Sequence, residues 1–397
     1  MSVRRLLIIT LACAMVVTWQ ASIATAKPAS SCTDPAGCIV LGPGEAVRLG
    51  TLLVTGELGA LGRESAQAVE LAMETRGNLA GHAIQLVHLG DGCNAGLATT
   101  TAEAVAADGL LVAVLGATCS GASIPVAPIL GGAGITTITP SSTNAQLTDP
   151  ALRDPFFFRF AYNDQYASDE LASFLIGDGA STAATVVGDH PSLLATGQRF
   201  ADEFVAAGGT LANEFVVGSS QDDFSSELAA IASDAPDVIV FITFQSAAFV
   251  TQARDTPGLE TTMLASTEVA QDVVAQLVEP TDAEGLVLSL PDFGFLEEEP
   301  YLSTLGAPFN DSFGEPTFPY HAYAFDAANR LMDAIESFQQ GNSQKLTIPR
   351  TALRDAIAAT ADYPGVTGSV TCDPNGDCNG QLFVIRVVEG GVLVEPS

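Results

Sequence analysis

Short apolar runs alternate with longer stretches of amphipathic pattern along most of the chain. The apolar runs are rich in valine, leucine and isoleucine, and each is bounded by polar or glycine-containing segments, which predicts buried strands. The longer stretches place apolar residues at helical spacing. Repeated strand–helix–strand units predict parallel sheets that are covered by helices on both faces.

The units fall into two series. The first predicts strands at 47–54, 84–89, 110–115 and 135–138, with helices at 65–75, 97–107 and 123–130. The second begins after residues 156–160 and predicts strands at 184–187, 215–217, 238–242 and 262–265, with helices at 169–175, 196–206, 225–232 and 247–254. Helices at 320–337 and 350–360 and a strand at 381–388 follow. A chain of this length exceeds one usual core, so we expect an α/β protein of two doubly wound lobes.

The amino terminus has the pattern of a secretory signal peptide. Arg4 and Arg5 precede an apolar run at 6–17, and residues 24–26 (Ala-Thr-Ala) form a small-residue cleavage site, which predicts a signal peptide at 1–26. The run is too short for a permanent membrane span, so we expect a soluble periplasmic protein. A lipid anchor on Cys13 is the disfavoured alternative, because Thr10 stands where a leucine is usual.

Six cysteines remain once Cys13 leaves with the signal peptide, and an even number in an exported chain indicates disulfides. Their grouping along the chain predicts three pairs: Cys32 with Cys38, Cys93 with Cys119, and Cys372 with Cys378. A zinc site is the alternative. The scattered histidines and the lack of a C-x-x-C motif disfavour it, so we expect no metal.

The chain is strongly acidic, with a net charge of −31 at pH 7. Nucleic acids and anionic membranes bind clustered lysine and arginine, so neither is an expected partner. The charge is better explained as a means of staying soluble. No G-x-S-x-G, H-E-x-x-H or Gly-rich phosphate-binding motif with lysine is present, so the sequence offers no residue on which to build an enzyme.

Two polar loops follow predicted strands of the first series, at 116–121 and 139–144. Ligands of open α/β sheets bind at the carboxyl ends of strands, where helix N-termini favour anions. The hydroxyl groups of both loops would suit a carboxylate. The alternative is that these serines and threonines are ordinary helix caps.

The same stretches resemble the leucine/isoleucine/valine-binding proteins of ABC transporters, which have the type I periplasmic-binding fold. The similar segments are 89–93, 114–120, 138–144, 156–160, 283–285, 320–327 and 368–380. The resemblance therefore covers nearly the whole mature chain. It implies an exported protein without enzymatic activity or cofactor that captures a small amino acid, or a related carboxylate or amide, and delivers it to an inner-membrane ABC permease. A sensing module for a separate receptor is the alternative function.

The resemblance also implies a set of site residues. The first lobe would hold the carboxylate and part of the ammonium group of the ligand through Ser120, Ser141, Ser142 and Thr143. The second lobe would cover the ligand with Phe244, unless that side chain packs in the core. Glu268 would meet the ammonium group, or Thr267 if the register moves by one, while a surface role is the alternative for Glu268. The loop at 55–59 and the segment 189–197 depart from the family pattern, which leaves the ligand undetermined.

The expected organisation follows from these assignments. A Cys- and Pro-containing leader at 27–45 would precede lobe 1 at 46–160 plus 286–367 and lobe 2 at 161–285 plus 368–397. Three crossings near Ala161, Glu284 and Gly368 would form a hinge that closes on the ligand. We expect a monomer.

Overall fold

The first lobe is built on a sheet of five parallel strands. A computed structural model of the protein describes residues 32–54, 59–218, 220–270, 273, 277, 279–341, 344–379 and 383–396. In sheet order the strands are β3 (Ile84–Gly90), β2 (Val47–Leu53), β4 (Ala113–Gly116), β5 (Thr136–Thr139) and β6 (Phe157–Arg159). All four pairings are parallel. The central strands β4 and β5 are buried throughout and need cover on both faces.

Helices supply that cover. On one face α1 (Gly59–Arg76) packs against α9 (Tyr320–Glu336), and on the other α2 (Ala95–Asp108) packs against α3 (Ser120–Gly132). The shorter helices α8 (Ala307–Phe313) and α10 (Arg350–Ala358) complete the first of these layers. The apolar runs of the central strands are therefore buried on both sides of the sheet, whereas the edge strand β3 is only partly buried.

The second lobe is built on a sheet of seven strands. Their order is β16 (Val392–Val394), β15 (Phe383–Glu389), β11 (Val287–Pro291), β10 (Met263–Ser266), β9 (Val238–Ile242), β7 (Thr182–Gly188) and β8 (Thr210–Val217). Strands β7 to β11 are parallel, and β15 and β16 join antiparallel. One face carries α4 (Gln165–Gly177) and α5 (Pro191–Ala206), and the other carries α6 (Ser225–Asp234) and α7 (Ser246–Asp255). Two doubly wound α/β lobes are thus confirmed.

Two of the expected crossings lie later in the chain than the sequence indicated. Val287–Pro291 pairs with Met263–Ser266 in the second sheet, so lobe 2 continues past residue 285 and the crossing near Glu284 is corrected to beyond Pro291. The third crossing also moves, because β14 (Gly368–Val370) forms a hairpin with β13 (Tyr363–Gly365) and Val370 belongs to the first core. The chain returns to the second sheet only at Phe383. The first error assigned a buried run to the wrong sheet, and the second overlooked a short hairpin that packs on the first lobe.

The described part of the leader belongs to the first lobe. Its strand β1 (Cys38–Leu41) pairs antiparallel with β12 (Leu346–Pro349). Asp34 accepts hydrogen bonds from the amide nitrogens of Thr351, at 3.0 Å, and of Ala352, at 3.3 Å, in the first turn of α10. Residues 1–31, which include the predicted signal peptide, lie outside the described residues.

The three predicted cysteine pairs are all present as disulfides, Cys32–Cys38, Cys93–Cys119 and Cys372–Cys378. Cys93–Cys119 joins the loops that follow β3 and β4. The other two each close a short segment of the chain. Across the described ranges, none of the helices has both the length and the apolar content that crossing a bilayer requires.

The contact between Asp34 and α10 predicts a stabilising role for the leader. Replacing Asp34 with alanine should lower the free energy of unfolding by about 1–2 kcal/mol, because the first amides of α10 lose their acceptor. Urea unfolding followed by circular dichroism measures the change. Asp222→Ala, at an exposed aspartate, is the control. Equal stability of the two variants would show that the leader does not stabilise the first lobe through Asp34.

Candidate ligand-binding cleft

The two polar loops predicted from the sequence lie side by side at the carboxyl edge of the first sheet. Helix α3 begins at Ser120, directly after the loop that follows β4, and no side chain caps its first turn. Ser120 Oγ accepts a hydrogen bond from the amide of Asn144 at 3.2 Å, which joins the first loop to the second. The uncapped N-terminus of α3 therefore opens where a ligand of this fold would be held.

Ser141 and Ser142 direct their hydroxyl groups into the protein. Ser141 Oγ donates to Thr118 O at 2.8 Å, and Ser142 Oγ donates to Ala117 O at 3.0 Å. Ser142 is fully buried and also lies 2.8 Å from the hydroxyl of Ser123. In this structure both hydroxyls join the two loops. Their contact with a ligand carboxylate stays a prediction.

Thr143 connects the second loop to the first crossing between the lobes. Its Oγ1 donates to Asp164 Oδ2 at 3.0 Å, and the amide of Asp164 donates to Thr143 O at 3.0 Å. The other carboxyl oxygen, Asp164 Oδ1, is buried and has no hydrogen-bond partner. Burial raises the pKa of Asp164 to about 6, although the Thr143 hydrogen bond and the charge of Arg159 act in the opposite direction.

Glu268 brings a second carboxyl group from the other lobe, directly after β10. Its Oε2 is buried and has no hydrogen-bond partner, and the same is true of Thr267 Oγ1. Burial, and after it the negative charge of Asp164, raises the pKa of Glu268 well above its usual value. The two carboxyl groups are thus near enough to repel each other. Glu268 as a whole is partly buried, and its role towards a ligand stays a prediction.

Asp164 was not selected from the sequence. The sequence does contain an indication of its importance. Residues 156–164 are mostly aromatic and apolar, and their only charged residues are Arg159 and Asp164. A charge in a buried segment needs a partner or a function. Arg159 has an ion-pair partner in Asp377, whereas Asp164 retains an unpaired oxygen.

Aromatic side chains from all three crossings meet beside the carboxyl groups. Tyr162, on the first crossing, has its ring 6.0 Å from that of Phe293 on the second and 5.6 Å from that of Phe383 on the third. Its hydroxyl lies 2.7 Å from that of Tyr320 on α9. Burial raises the pKa of Tyr320 to about 12. The negative charges of Asp164 and Glu268 also raise the pKa of both tyrosines, so the two hydroxyl groups lie within electrostatic range of the carboxyl groups.

Phe244 lies at the rim of the second lobe, in the loop after β9. Its side chain is 52% exposed, which excludes the alternative of core packing. The nearest ring is that of His190, with centroids 5.7 Å apart, in the loop after β7. Both loops end parallel strands of the second sheet, so Phe244 is available to cover a ligand. That role stays a prediction.

Other parts of the predicted site are less informative. Residues 55–58, most of the loop that departs from the family pattern, lie outside the described residues. No group of three or more histidine, cysteine, aspartate or glutamate side chains in the described part of the chain could hold a metal ion. The sequence at 373–377 forms a turn in which Asp373 Oδ1 accepts the amides of Asn375 and Asp377.

Comparison with a family model agrees with this geometry. The model described as "Periplasmic binding protein" matches residues 47–391. The chain therefore belongs to the periplasmic binding protein family, which is a family of solute-binding proteins. A curated relative, an amino acid binding protein of Pseudomonas aeruginosa, is 35% identical over 94 residues. That alignment spans 24% of this chain and 25% of the relative, so it covers only a quarter of that protein.

Solved structures extend the similarity over most of the chain. The leucine binding protein LivK of Thermotoga maritima is 23% identical with a TM-score of 0.69, over 89% of this chain and 98% of that one. The solute binding protein of R. palustris in complex with benzoate is 21% identical with a TM-score of 0.66, over 88% and 95%. LivJ of Streptococcus pneumoniae, in complex with isoleucine, is 18% identical with a TM-score of 0.67, over 88% and 98%. At these identities the likeness shows the shared fold.

The carboxyl pair predicts a pH-dependent stability of the ligand-free protein. A carboxyl group with a raised pKa stabilises the fold below its unfolded value, near 4, and loses that contribution as the pH rises through the folded value, about 6 for Asp164. Glu268→Gln should therefore raise the free energy of unfolding at pH 7.5 by about 1–3 kcal/mol. The gain should become smaller as the pH is lowered from 7.5 to 5, because a raised pKa makes the folded protein take up a proton at this carboxyl group before the unfolded chain does.

Urea unfolding at the two pH values measures this difference. Glu214→Gln, at an exposed position on β8, is the control and should change stability at neither pH. The same gain at both pH values would contradict an ionised, buried Glu268.

Proposed function

We propose that the protein binds a small amino acid, as a zwitterion, between its lobes and delivers it to an ABC permease in the inner membrane. The observation that carries this proposal is the pair of buried, unpartnered oxygens, Asp164 Oδ1 and Glu268 Oε2. A buried acceptor without a donor costs about 1–3 kcal/mol, and more when it is charged. An ammonium group offers three donors and a positive charge, and so satisfies both carboxylates.

The same cleft has a place for the other end of a zwitterion. The first turn of α3 has no side-chain cap, and backbone amides at a helix N-terminus favour an anion. Ser120, in that turn, has a hydroxyl group that already accepts one hydrogen bond and can donate another. Carboxylate at α3 and ammonium between the two acids is therefore the orientation we propose, with Phe244 as cover.

The lobes would close around this ligand. Thr143 and Asp164 are held on the first lobe and its crossing, whereas Glu268 and Phe244 belong to the second. A ligand that touches both sets stabilises the closed arrangement, because only there can it contact both.

Two further observations support export and delivery to a permease. The predicted signal peptide at 1–26 indicates export. Several proteins with this fold are substrate-binding proteins of ABC transporters. We propose that this chain works in the same way, as a monomer. The sensing function considered from the sequence would use the same cleft, and no specific contact favours it.

A ligand panel tests the proposal. The panel contains amino acids, their amides, their deaminated acids and benzoate. Only the compounds that carry an ammonium group should give thermal shifts. A ligand with a Kd near 1 µM, supplied at 1 mM, should add about 4 kcal/mol of stability. Binding of benzoate or of deaminated acids in preference to amino acids would contradict the proposed orientation.

Replacing one of the two acidic residues tests its proposed role in ligand binding. Glu268→Gln should weaken binding of the amino acid by on the order of 2–5 kcal/mol, because a desolvated charge contact is lost. Calorimetry measures the affinity, and Glu214→Gln should leave it unchanged. Wild-type affinity in Glu268→Gln would remove Glu268 from the site.

A further inference from the structure

The segment closed by Cys372–Cys378 is docked on the last strand of the first sheet. Arg159 N donates to Gly376 O at 2.8 Å, and Cys378 N donates to Arg159 O at 2.8 Å. Gly376 has a φ of +92°, and a Cβ atom there would lie 2.7 Å from Phe157 O, so only glycine permits this approach. The segment 372–378 (hereafter the disulfide loop) is therefore an addition to the sheet edge beyond β6.

Asp377 of the disulfide loop is the centre of a buried polar network. Its Oδ1 accepts from Arg159 Nε at 2.6 Å. Its Oδ2 accepts from Asn163 Nδ2 at 2.7 Å and from Thr148 Oγ1 at 3.0 Å. Arg159 is completely buried and Asp377 is 4% exposed, so each neutralises a charge that water cannot reach.

The network contacts two parts of the proposed site, the loop around Thr143 and the crossing segment at Asp164. These are called the two arms of the site. Arg159 Nη1 donates to Asn144 O at 2.7 Å and lies 3.4 Å from Ser142 O, so the guanidinium group holds the backbone on both sides of Thr143. Asn163 directly precedes Asp164, and its Oδ1 accepts the amide of Gln165 at 3.1 Å. Thr143 and Asp164 are thus held in place by Arg159 and Asn163, which both bind the carboxylate of Asp377.

We propose that Asp377 is a positioning residue for ligand binding, and that the Cys372–Cys378 disulfide sets the affinity of the cleft by holding Asp377 in place. This inference rests on the proposed function, because it takes Thr143 and Asp164 to be ligand-binding elements. Asp377 does not touch the ligand. It acts through Arg159 and Asn163.

The physical reason is the burial of the guanidinium group. Without Asp377 the buried guanidinium group of Arg159 loses the carboxylate with which it is ion-paired, and the group must move or admit water. Either change releases Asn144 O and frees the backbone around Thr143. Because apparent affinity falls with the fraction of molecules in the competent arrangement, a loosened loop weakens binding without loss of a ligand contact.

The first test replaces Asp377 with asparagine, which keeps the shape and removes the charge. The Kd for the amino acid found with the wild-type protein should rise at least tenfold. Asp326→Asn is the matched control, because Asp326 is equally buried and accepts hydrogen bonds from the amides of Val366 and Thr367, away from the two loops. It should lose stability but keep its affinity within about twofold.

The second test removes the disulfide. Cys372→Ser/Cys378→Ser should weaken binding in the same direction as Asp377→Asn. The control is Cys32→Ser/Cys38→Ser, which removes a disulfide of the same sequence separation, 6 residues, in the leader. If both disulfide variants bind like the wild type, or if Asp377→Asn folds and binds like the wild type, the proposal is overturned.

A measurement without ligand separates this inference from the proposed function. The amide of Asp164 is bonded to Thr143 O, so its hydrogen exchange reports whether the two arms stay together. Exchange at this amide should be at least tenfold faster in Asp377→Asn and in Cys372→Ser/Cys378→Ser than in the wild type. Unchanged exchange would refute positioning by Asp377 even if amino acids bind. Faster exchange in a protein that binds no amino acid would refute the function alone.

Discussion

The proposed site depends on two partly buried carboxyl groups. Asp164 and Glu268 approach each other from opposite lobes, and each keeps an oxygen without a donor. Burial raises the pKa of both groups, and the negative charge of Asp164 raises that of Glu268 further, so the unliganded arrangement carries an energetic cost when both groups are ionised. A cation between them removes the repulsion and supplies the missing donors. In the proposed function, ligand binding and closure of the lobes therefore share one electrostatic cause.

The two lobes contribute to the site in different ways. On the first lobe Ser141 and Ser142 bond to backbone carbonyls of the neighbouring loop, and Arg159 holds the same region from below. These hydrogen bonds hold that surface in place without a ligand, which lowers the conformational entropy that binding must overcome. The second lobe offers Phe244, which is half exposed. It can adapt to ligands of different size, which agrees with the divergence of segment 189–197 from the family pattern.

Much of the architecture could be predicted from the sequence, because buried parallel strands leave continuous apolar runs and cysteines of an exported chain pair. The pattern could not assign Val287–Pro291 to its sheet, since a buried run looks the same in either lobe. Nor could it show the leader strand Cys38–Leu41, whose partner lies some three hundred residues away. Asp164 was missed because its meaning depends on Glu268, a neighbour only in three dimensions. The serines were found by pattern, but the direction of their hydroxyl groups depends on packing between loops.

The contact between Tyr162 and Tyr320 has an optical consequence. The sole tryptophan of the chain is Trp19, within the predicted signal peptide, so the mature protein would absorb and emit in the near ultraviolet through its six tyrosines. Two of these lie beside the carboxyl pair with their hydroxyl groups 2.7 Å apart. An ionised carboxylate nearby quenches a phenol, and a bound ammonium group would shield it. The intrinsic emission of the protein would thus report occupancy of the cleft, without any attached dye.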